Sequence, residues 1–374
     1  MRLPRSSELT PCAADTEVAD KTRAGPWRVY ARTVVGPIHL ADRLPNQDAV
    51  DWRPRRRRSS ADCLSAAVAD GHGHRLHLRS AVGARLATSS LVAELERISQ
   101  RAASGLEHPL LERLVQVDLI QGLTSSWRQE VAADLRAHPM TTADYATLAS
   151  ALPEEELRRA TLLPLVLYGS TVLGAAVTAD HVLVGGIGDG DVVVVDGYLN
   201  AFRPLPDAGS PFANVTASLC ESDPAQSWRA AALRRTNDRR RPIIVLIATD
   251  GLTGFFGVGT ALCERVRELA ETLVAKGDEQ FERGLWNLVG EAQRGIGDDA
   301  TLLTLYEEDA VERLRRWHAR RAAIPGRLSG KPPASALSAS PHTAAAEGPG
   351  GPAGPAPADA FAADSKLHDA GRPL

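Results

Sequence analysis

Three stretches of the chain repeat one pattern. An apolar run closes on Asp-Gly in AAVADG (66–71), GGIGDG (185–190) and LIATDG (246–251), which sets Asp70, Asp189 and Asp250 at the ends of apolar segments. A fourth stretch, GIGDDATLLTL (295–305), puts Asp298 and Asp299 just before such a run. Carboxylates gathered at strand ends repel one another, and unless cations neutralise them they are destabilising and partly protonated. Hard oxygen donors of this kind suit Mg²⁺ or Mn²⁺ far better than zinc. A two-cation carboxylate site commonly serves phosphoryl hydrolysis. Taken singly, each Asp-Gly also reads as a turn. The repetition, together with the next motif, makes that bland reading poor.

That motif is ADRLPNQDAVDW (41–52), in which Arg43 lies five residues before Asp48. A strand through this segment would carry both toward one sheet edge. A guanidinium fork beside a carboxylate metal site is what a phosphate dianion needs, because it binds two phosphate oxygens while the metals take the others.

The elements that must position these residues are legible as Val/Ile/Leu/Ala-rich runs. Strands are predicted around 30–35 and at 49–52, 63–70, 170–178, 181–189, 192–197, 242–250 and 300–306, with helices near 76–102, 109–137, 259–275 and 279–294. Neighbouring strands separated in groups by long helices point to an α+β protein, with helices covering antiparallel sheets. Trp127 falls at helical spacing with Leu123 and Val131 and reads as core.

At 374 residues, 44% hydrophobic and 24% charged, the chain is ample for a sizeable core. A formal net charge of -3 gives no global field that would mark a nucleic-acid or membrane binder. Four scattered cysteines, Cys12, Cys63, Cys220 and Cys263, without a Cys-x-x-Cys pair, read as reduced thiols of a cytoplasmic protein. The uncharged run 162–179 is broken by Pro164, Gly169 and Gly174 and reads as a pair of buried strand pieces rather than a membrane span. Residues 1–26 are polar and read as disordered, 309–324 read as a basic helical extension, and 325–374 form a disordered Ala/Pro/Gly-rich tail. The folded unit is then 27–308. RPRRRRSS (53–60) reads as a solvated hairpin loop.

Other readings of the same residues are weaker. His72, His74 and His77 have no cysteine or His-Glu-x-x-His spacing to make a zinc site, and His74 and His77 read as solvent-facing residues at a helix start. GGIGDG leads into a strand where a dinucleotide fingerprint needs a helix.

Taken in order, the motifs resemble the metal-dependent protein phosphatases of the protein phosphatase 2C type, in a bacterial style. RLPNQDA (43–49), DGHGH (70–74), GSTVLGAAV (169–177), GIGDGDVVVVDG (186–197), ATDGL (248–252) and DDAT (298–301) carry the resemblance, which spans roughly residues 30–306. It implies a four-layer α-β-β-α sandwich with two central antiparallel sheets and a binuclear centre at one edge. By motif, Asp70 would bridge two Mn²⁺ or Mg²⁺ ions, Gly71 would give one its carbonyl, Asp250 and Asp298 would hold the other, and Asp48 would act through metal-bound water. A water bridging the ions would attack phosphorus, with Arg43 on the phosphate and His72 as general acid. Asp189 would serve a third, weaker ion.

Four positions depart from the family pattern: Gln47 for an acidic residue, His74 for a glycine, Gly190-Asp191 for Ser-Arg in a hairpin, and Gly254 where many members place an aspartate. The implied activity is hydrolysis of phosphoserine and phosphothreonine in phosphorylated protein substrates of a Ser/Thr kinase, with no nucleic acid or membrane partner. The alternative is a catalytically weak, phosphoprotein-binding regulatory module.

Overall fold

Val192, Val193, Val194 and Val195 are all fully buried, so the strand they form has apolar cover on both faces. Side chains alternate across a strand. Val192 and Val194 therefore enter one core, between two sheets, while Val193 and Val195 enter another, beneath helices. The computed structural model describes residues 17–54, 63–207, 216–236, 238–256 and 260–322. The strands are β1 (Glu17–Ala24), β2 (Trp27–Val34), β3 (Ala49–Arg53), β4 (Cys63–Ala69), β5 (Val172–Thr178), β6 (His181–Ile187), β7 (Asp191–Asp196), β8 (Ala201–Phe202), β9 (Arg229–Arg234), β10 (Pro242–Ala248) and β11 (Ala300–Glu307). The α-helices are α1 (Pro37–Asp42), α2 (Ser80–Ala103), α3 (His108–Arg113), α4 (Leu119–Ala137), α5 (Thr142–Ala151), α6 (Glu154–Leu162), α7 (Asp250–Phe256), α8 (Ala261–Lys276), α9 (Asp278–Ile296) and α10 (Glu308–Ala322).

Two antiparallel sheets result, a six-stranded one in the order β1-β2-β11-β10-β7-β8 and a five-stranded one in the order β3-β4-β5-β6-β9. Leu303, Leu305, Val245 and Ile247 of the first meet Val68, Leu173 and Ala175 of the second in the central core. Helix α2 covers β4 and β5 on one outer face, and α8 and α9 cover the other sheet. This is the four-layer α-β-β-α sandwich of the sequence expectation. Trp127 is fully buried with Leu123 and Val131, as its spacing predicts, and its indole N–H donates to the Gly83 carbonyl at 3.1 Å.

Strand register delivers the acidic residues to one edge. Ala49 pairs with Ala69, Val172 with Ile187, and Ala248 with both Leu302 and Asp191. The residues just outside these pairs, Asp48, Asp70, Asp189 and Asp250, thus leave their strands at the same end of the sandwich.

The structure differs from expectation in several places. Residues 17–24 are not irregular: they form β1, paired along its length with β2. Polar side chains hid this edge strand, because a strand with one face in solvent needs few apolar residues. The segment 186–197 is not a hairpin, because β6 and β7 lie in different sheets and Gly188-Asp189-Gly190 crosses between them. Gly188 makes that crossing at φ +108, a region that favours glycine. The run 162–179 gives one strand, β5, preceded by a 3-10 turn over Pro164–Tyr168 that buries Val166, Leu167 and Tyr168. Proline, lacking an N–H, starts that turn and cannot extend a sheet ladder. The basic extension is helical from Glu308 to Ala322. Residues 1–16, 55–60 of the basic loop and the 325–374 tail lie outside the described residues. Among the described residues no helix is long and apolar enough to cross a membrane.

One close approach ties β10 to β11 at the acidic edge. A Cβ on Gly251 would sit 1.8 Å from the Asp299 carbonyl oxygen, whereas one on Gly254 would meet only Ile296 Cδ1, at 3.2 Å. Gly251→Ala is expected to cost about 2 kcal/mol or more, and Gly254→Ala little. Urea unfolding of both variants checks this. A Gly251→Ala midpoint equal to wild type would contradict the packing.

Candidate metal centre and active-site cleft

Asp70 follows β4 directly and is fixed by its own backbone. Its N–H donates to Thr171 Oγ1 at 3.0 Å, and its carbonyl accepts from the Thr171 N–H at 2.8 Å and from Ser170 Oγ at 2.9 Å. Gly71 pairs with Ser170 as an isolated bridge, and its N–H donates to the Gln47 carbonyl at 3.2 Å. A Cβ on Gly71 would lie 2.8 Å from that carbonyl oxygen and from the Ser80 backbone, which accounts for glycine there.

Asp48 precedes β3 and is buried. Thr249 Oγ1 donates to its Oδ2 at 2.8 Å, while its Oδ1 is buried without a hydrogen-bond partner. Hydroxyls continue inward: the Thr301 N–H donates to Thr249 Oγ1 at 3.0 Å, Thr301 Oγ1 to Thr33 Oγ1 at 2.7 Å, and Asn46 Nδ2 to the same Thr33 oxygen at 2.8 Å. The loop carrying Asp48 is thereby tied to β2, β10 and β11.

The carboxylates act on one another. Burial pushes Asp70 well above the usual carboxylate range, and the charges of Asp48, Asp250, Asp298 and Asp189 push the same way. Burial also raises Asp48, with the charges of Asp299 and Asp250 adding to it against the hydroxyl bonds. Asp250, at the head of α7, is pushed up to about 6 by burial and by Asp189 and Asp298. Asp298 is half exposed, and Asp189 accepts from Thr216 Oγ1 at 2.7 Å. Five of the six residues proposed from sequence as metal ligands are therefore mutually interacting acids, and the sixth, Gly71, adjoins Asp70. A buried carboxylate oxygen with no partner, beside acids whose charges push Asp48, Asp70 and Asp250 upward, is a donor set that fits hard divalent cations. Asp189, Asp250 and Asp298 line a cleft of about 410 Å³, with Asp191, Arg203, Leu262 and Ile296.

The other two sequence-predicted residues sit differently. Arg43 is not on a strand: it caps α1 in the left-handed region, at φ 57, and its side chain is exposed. Pro37 at the first helical position starts a helix where a strand was expected, and 44–48 form the loop into β3. His72 is partly buried beside His77, with ring centroids 4.9 Å apart, and burial together with that second imidazole lowers it to about 4. His77 is not solvent-facing, since its Nδ1 lies 2.5 Å from the Val166 carbonyl oxygen; His74 is exposed, as expected.

Sequence reasoning missed His39 and the work of Asp299. Asp299, only 2% exposed, accepts from the Gly36 N–H at 2.7 Å and the Gln47 N–H at 2.6 Å, and lies 2.9 Å from His39 Nδ1. His39 Nε2 in turn lies 3.9 Å from Asp298 Oδ1, and His39, Asp298 and Asp299 are close enough to share an ion. The signal was a histidine on the apolar side of a short Pro-started helix, which sequence spacing alone does not connect to residues 298 and 299. Asp191, at the position where the family pattern has arginine, is buried and ion-paired with Arg203.

Residues 35–286 match the family model described as protein phosphatase 2C. Among solved structures, the chain is similar to the serine/threonine phosphatase Stp1 from Staphylococcus aureus, at 15% identity over 74% of this chain and 94% of that one, with a TM-score of 0.45. It is similar to PppA, a key regulatory component of T6SS in Pseudomonas aeruginosa, at 19% identity over 77% and 99% of the two chains, with a TM-score of 0.44. It is also similar to serine-threonine phosphatase 2C from Toxoplasma gondii, at 15% identity over 78% and 98%, with a TM-score of 0.47. No curated protein matches it.

The acid cluster has a pH signature. A carboxyl raised on folding takes up protons as the chain folds, so the stability it contributes is full below the unfolded value near 3.8 and is lost as pH rises through about 6 for Asp250. In chelator, Asp250→Asn is expected to be more stable than wild type at pH 7 by on the order of 2 kcal/mol, the gap closing near pH 4. Mn²⁺ should reverse the ranking. Urea titrations across this range decide it, and a wild type already as stable as the variant in chelator at pH 7 would show that the carboxylates do not repel as placed.

Proposed function

The chain belongs to the protein phosphatase 2C family, a family of protein serine/threonine phosphatases, and we propose that it hydrolyses phosphoserine and phosphothreonine in proteins with two Mn²⁺ or Mg²⁺ ions. The observation that carries this reading is the convergence of Asp48, Asp189, Asp250 and Asp298 on Asp70 at one sandwich edge. In this reading Asp70, the Gly71 carbonyl, Asp250 and Asp298 would hold the ions, with Asp48 contributing through water. Bound divalent cations supply charge neutralisation and acidify a water for attack on phosphorus.

The remaining work falls to the chain itself. Arg43 takes the phosphate: its exposed position on a loop lets the guanidinium reach an incoming dianion without first breaking a buried contact. His72 supplies the proton that the leaving serine or threonine oxygen needs. Its ring, lowered to about 4, is neutral at pH 7 until a phosphate dianion arrives beside it. A neighbouring negative charge favours the imidazolium. The substrates are phosphoproteins made by a Ser/Thr kinase, and the scattered thiols suit a cytoplasmic setting.

A second reading, a phosphoprotein-docking module with weak turnover, draws on one observation. Asp189 is engaged by Thr216, and Gly254 offers no carboxylate across the cleft, which leaves the third-ion position poorly furnished. Hydrolysis separates the two. Phosphate release from a phosphothreonine peptide is expected with Mn²⁺ and not in chelator, and Asp70→Asn and Asp250→Asn should each lower kcat/KM by on the order of a hundredfold. A wild type without metal-dependent release, or variants that match it, would sink the catalytic reading and leave the docking module.

A further inference from the structure

A second constellation lies at the opposite end of the same strands. Where β10 leads at Ala248 to the acidic edge, its other end carries Ile243 into a cavity of about 250 Å³ between the 238–241 segment and α10. Seven strand residues separate the two ends by roughly 20 Å. Arg239, Arg241 and Arg313 line this cavity, with Asp238 the one acid among its lining residues.

Two of these guanidiniums, Arg239 and Arg241, are held in place. Arg239 stands between two rings, with its central carbon 4.7 Å from the Tyr198 ring centroid and 4.0 Å from that of Trp317. Its Nε donates to the Gly197 carbonyl at 3.1 Å, which orients the fork. Arg241 grips the buried Glu307 through Nε and Nη2, both at 3.1 Å, and Arg313 Nη2 lies 3.8 Å from the same carboxylate. Glu307 also pairs with buried Arg235 at 2.5 Å. Three guanidiniums, those of Arg235, Arg241 and Arg313, thus share the single carboxylate of Glu307, and Arg239 has no carboxylate partner among the described residues. Asp238 is itself occupied by Thr236 Oγ1 at 2.6 Å and the Arg240 N–H at 3.0 Å. A local excess of fixed positive charge in a chain of net charge -3 calls for an anion from outside.

We propose that this cavity binds the phosphorylated side chain of a protein segment, with the phosphoryl group on Arg239 and Arg313. Preoriented guanidinium forks match phosphate oxygens in pairs. The apolar wall of Ile243, Leu314 and Trp317 suits the side chain beside the phosphorylated residue. A nucleic-acid strand is the poorer fit. Asp238 and Glu312 interrupt the basic surface along which a polyanion would have to run, and the cavity is sized for one phosphoryl group and a neighbour. The inference does not rest on the catalytic reading, since its test uses no metal and reads binding alone.

Fluorescence anisotropy of a labelled phosphothreonine peptide with an adjacent leucine, added to the full chain in chelator, tests it. The peptide is expected to bind at least about tenfold more tightly than its unphosphorylated form, and to lose about tenfold in Arg239→Gln and in Arg313→Gln. Arg313 is 62% exposed, so its substitution leaves folding intact if Arg239→Gln does not. Arg43→Gln should leave this binding in place, and inorganic phosphate should compete. Equal affinity for the unphosphorylated peptide, wild-type binding by both arginine variants, loss confined to Arg43→Gln, or tighter Arg239-dependent binding of a short oligonucleotide would each overturn the proposal.

Discussion

Repulsion among Asp48, Asp70, Asp189, Asp250 and Asp298 is the force against which the rest of the molecule is arranged. Burial and like charges dominate the shifts of Asp70 and Asp250, so rigidity has to hold the carboxylates together. The sandwich provides it. Several of these acids adjoin buried residues of the sandwich, as with Ala69 before Asp70, Ala248 and Thr249 before Asp250, and Ala300 after Asp299. Moving a carboxylate away from its neighbours would drag a packed strand with it. Dense cores resist such shifts. Energy stored as raised carboxyl protonation is therefore available to whatever neutralises the cluster.

Asp299 is the counterpart inside the same edge. Unlike its neighbour Asp298, it is closed off from solvent and spent on structure, with two backbone N–H groups and the His39 imidazole around it. A carboxylate receiving several donors is well satisfied when buried. Through it the start of β11 is fastened to both the entry of α1 and the loop that carries Asp48. Consecutive aspartates thus divide the labour: one faces the cleft and the other fixes the loop whose carboxylate must face it.

Much of this was legible in the sequence because it depends on alternation and on chain breaks. Asp-Gly after an apolar run marked Asp70, Asp189 and Asp250, and the strands behind them are where their composition placed them. What escaped did so for physical reasons. Strand β1 has polar residues because it is an edge, so its pairing with β2 is decided by backbone hydrogen bonds that composition does not report. The crossing at Gly188 reads locally like a hairpin turn, and only the register of both sheets shows that β6 and β7 part company. Arg43 was misplaced because Gly36-Pro37 starts a helix within a segment short enough to pass for a strand. His39 needed a contact between residues some 260 positions apart along the chain.

The sandwich carries opposite charge at its two ends, and the strands in between decide how far each end feels the other. Strands β7, β10 and β11 have carboxylates at one terminus and reach the arginine-lined cavity at the other, with a separation of roughly 20 Å. At physiological ionic strength exposed charges are screened over about 8 Å, so the two ends do not cancel one another. A phosphoryl group held as proposed in the arginine cavity would therefore feel little of the carboxylates at the cleft.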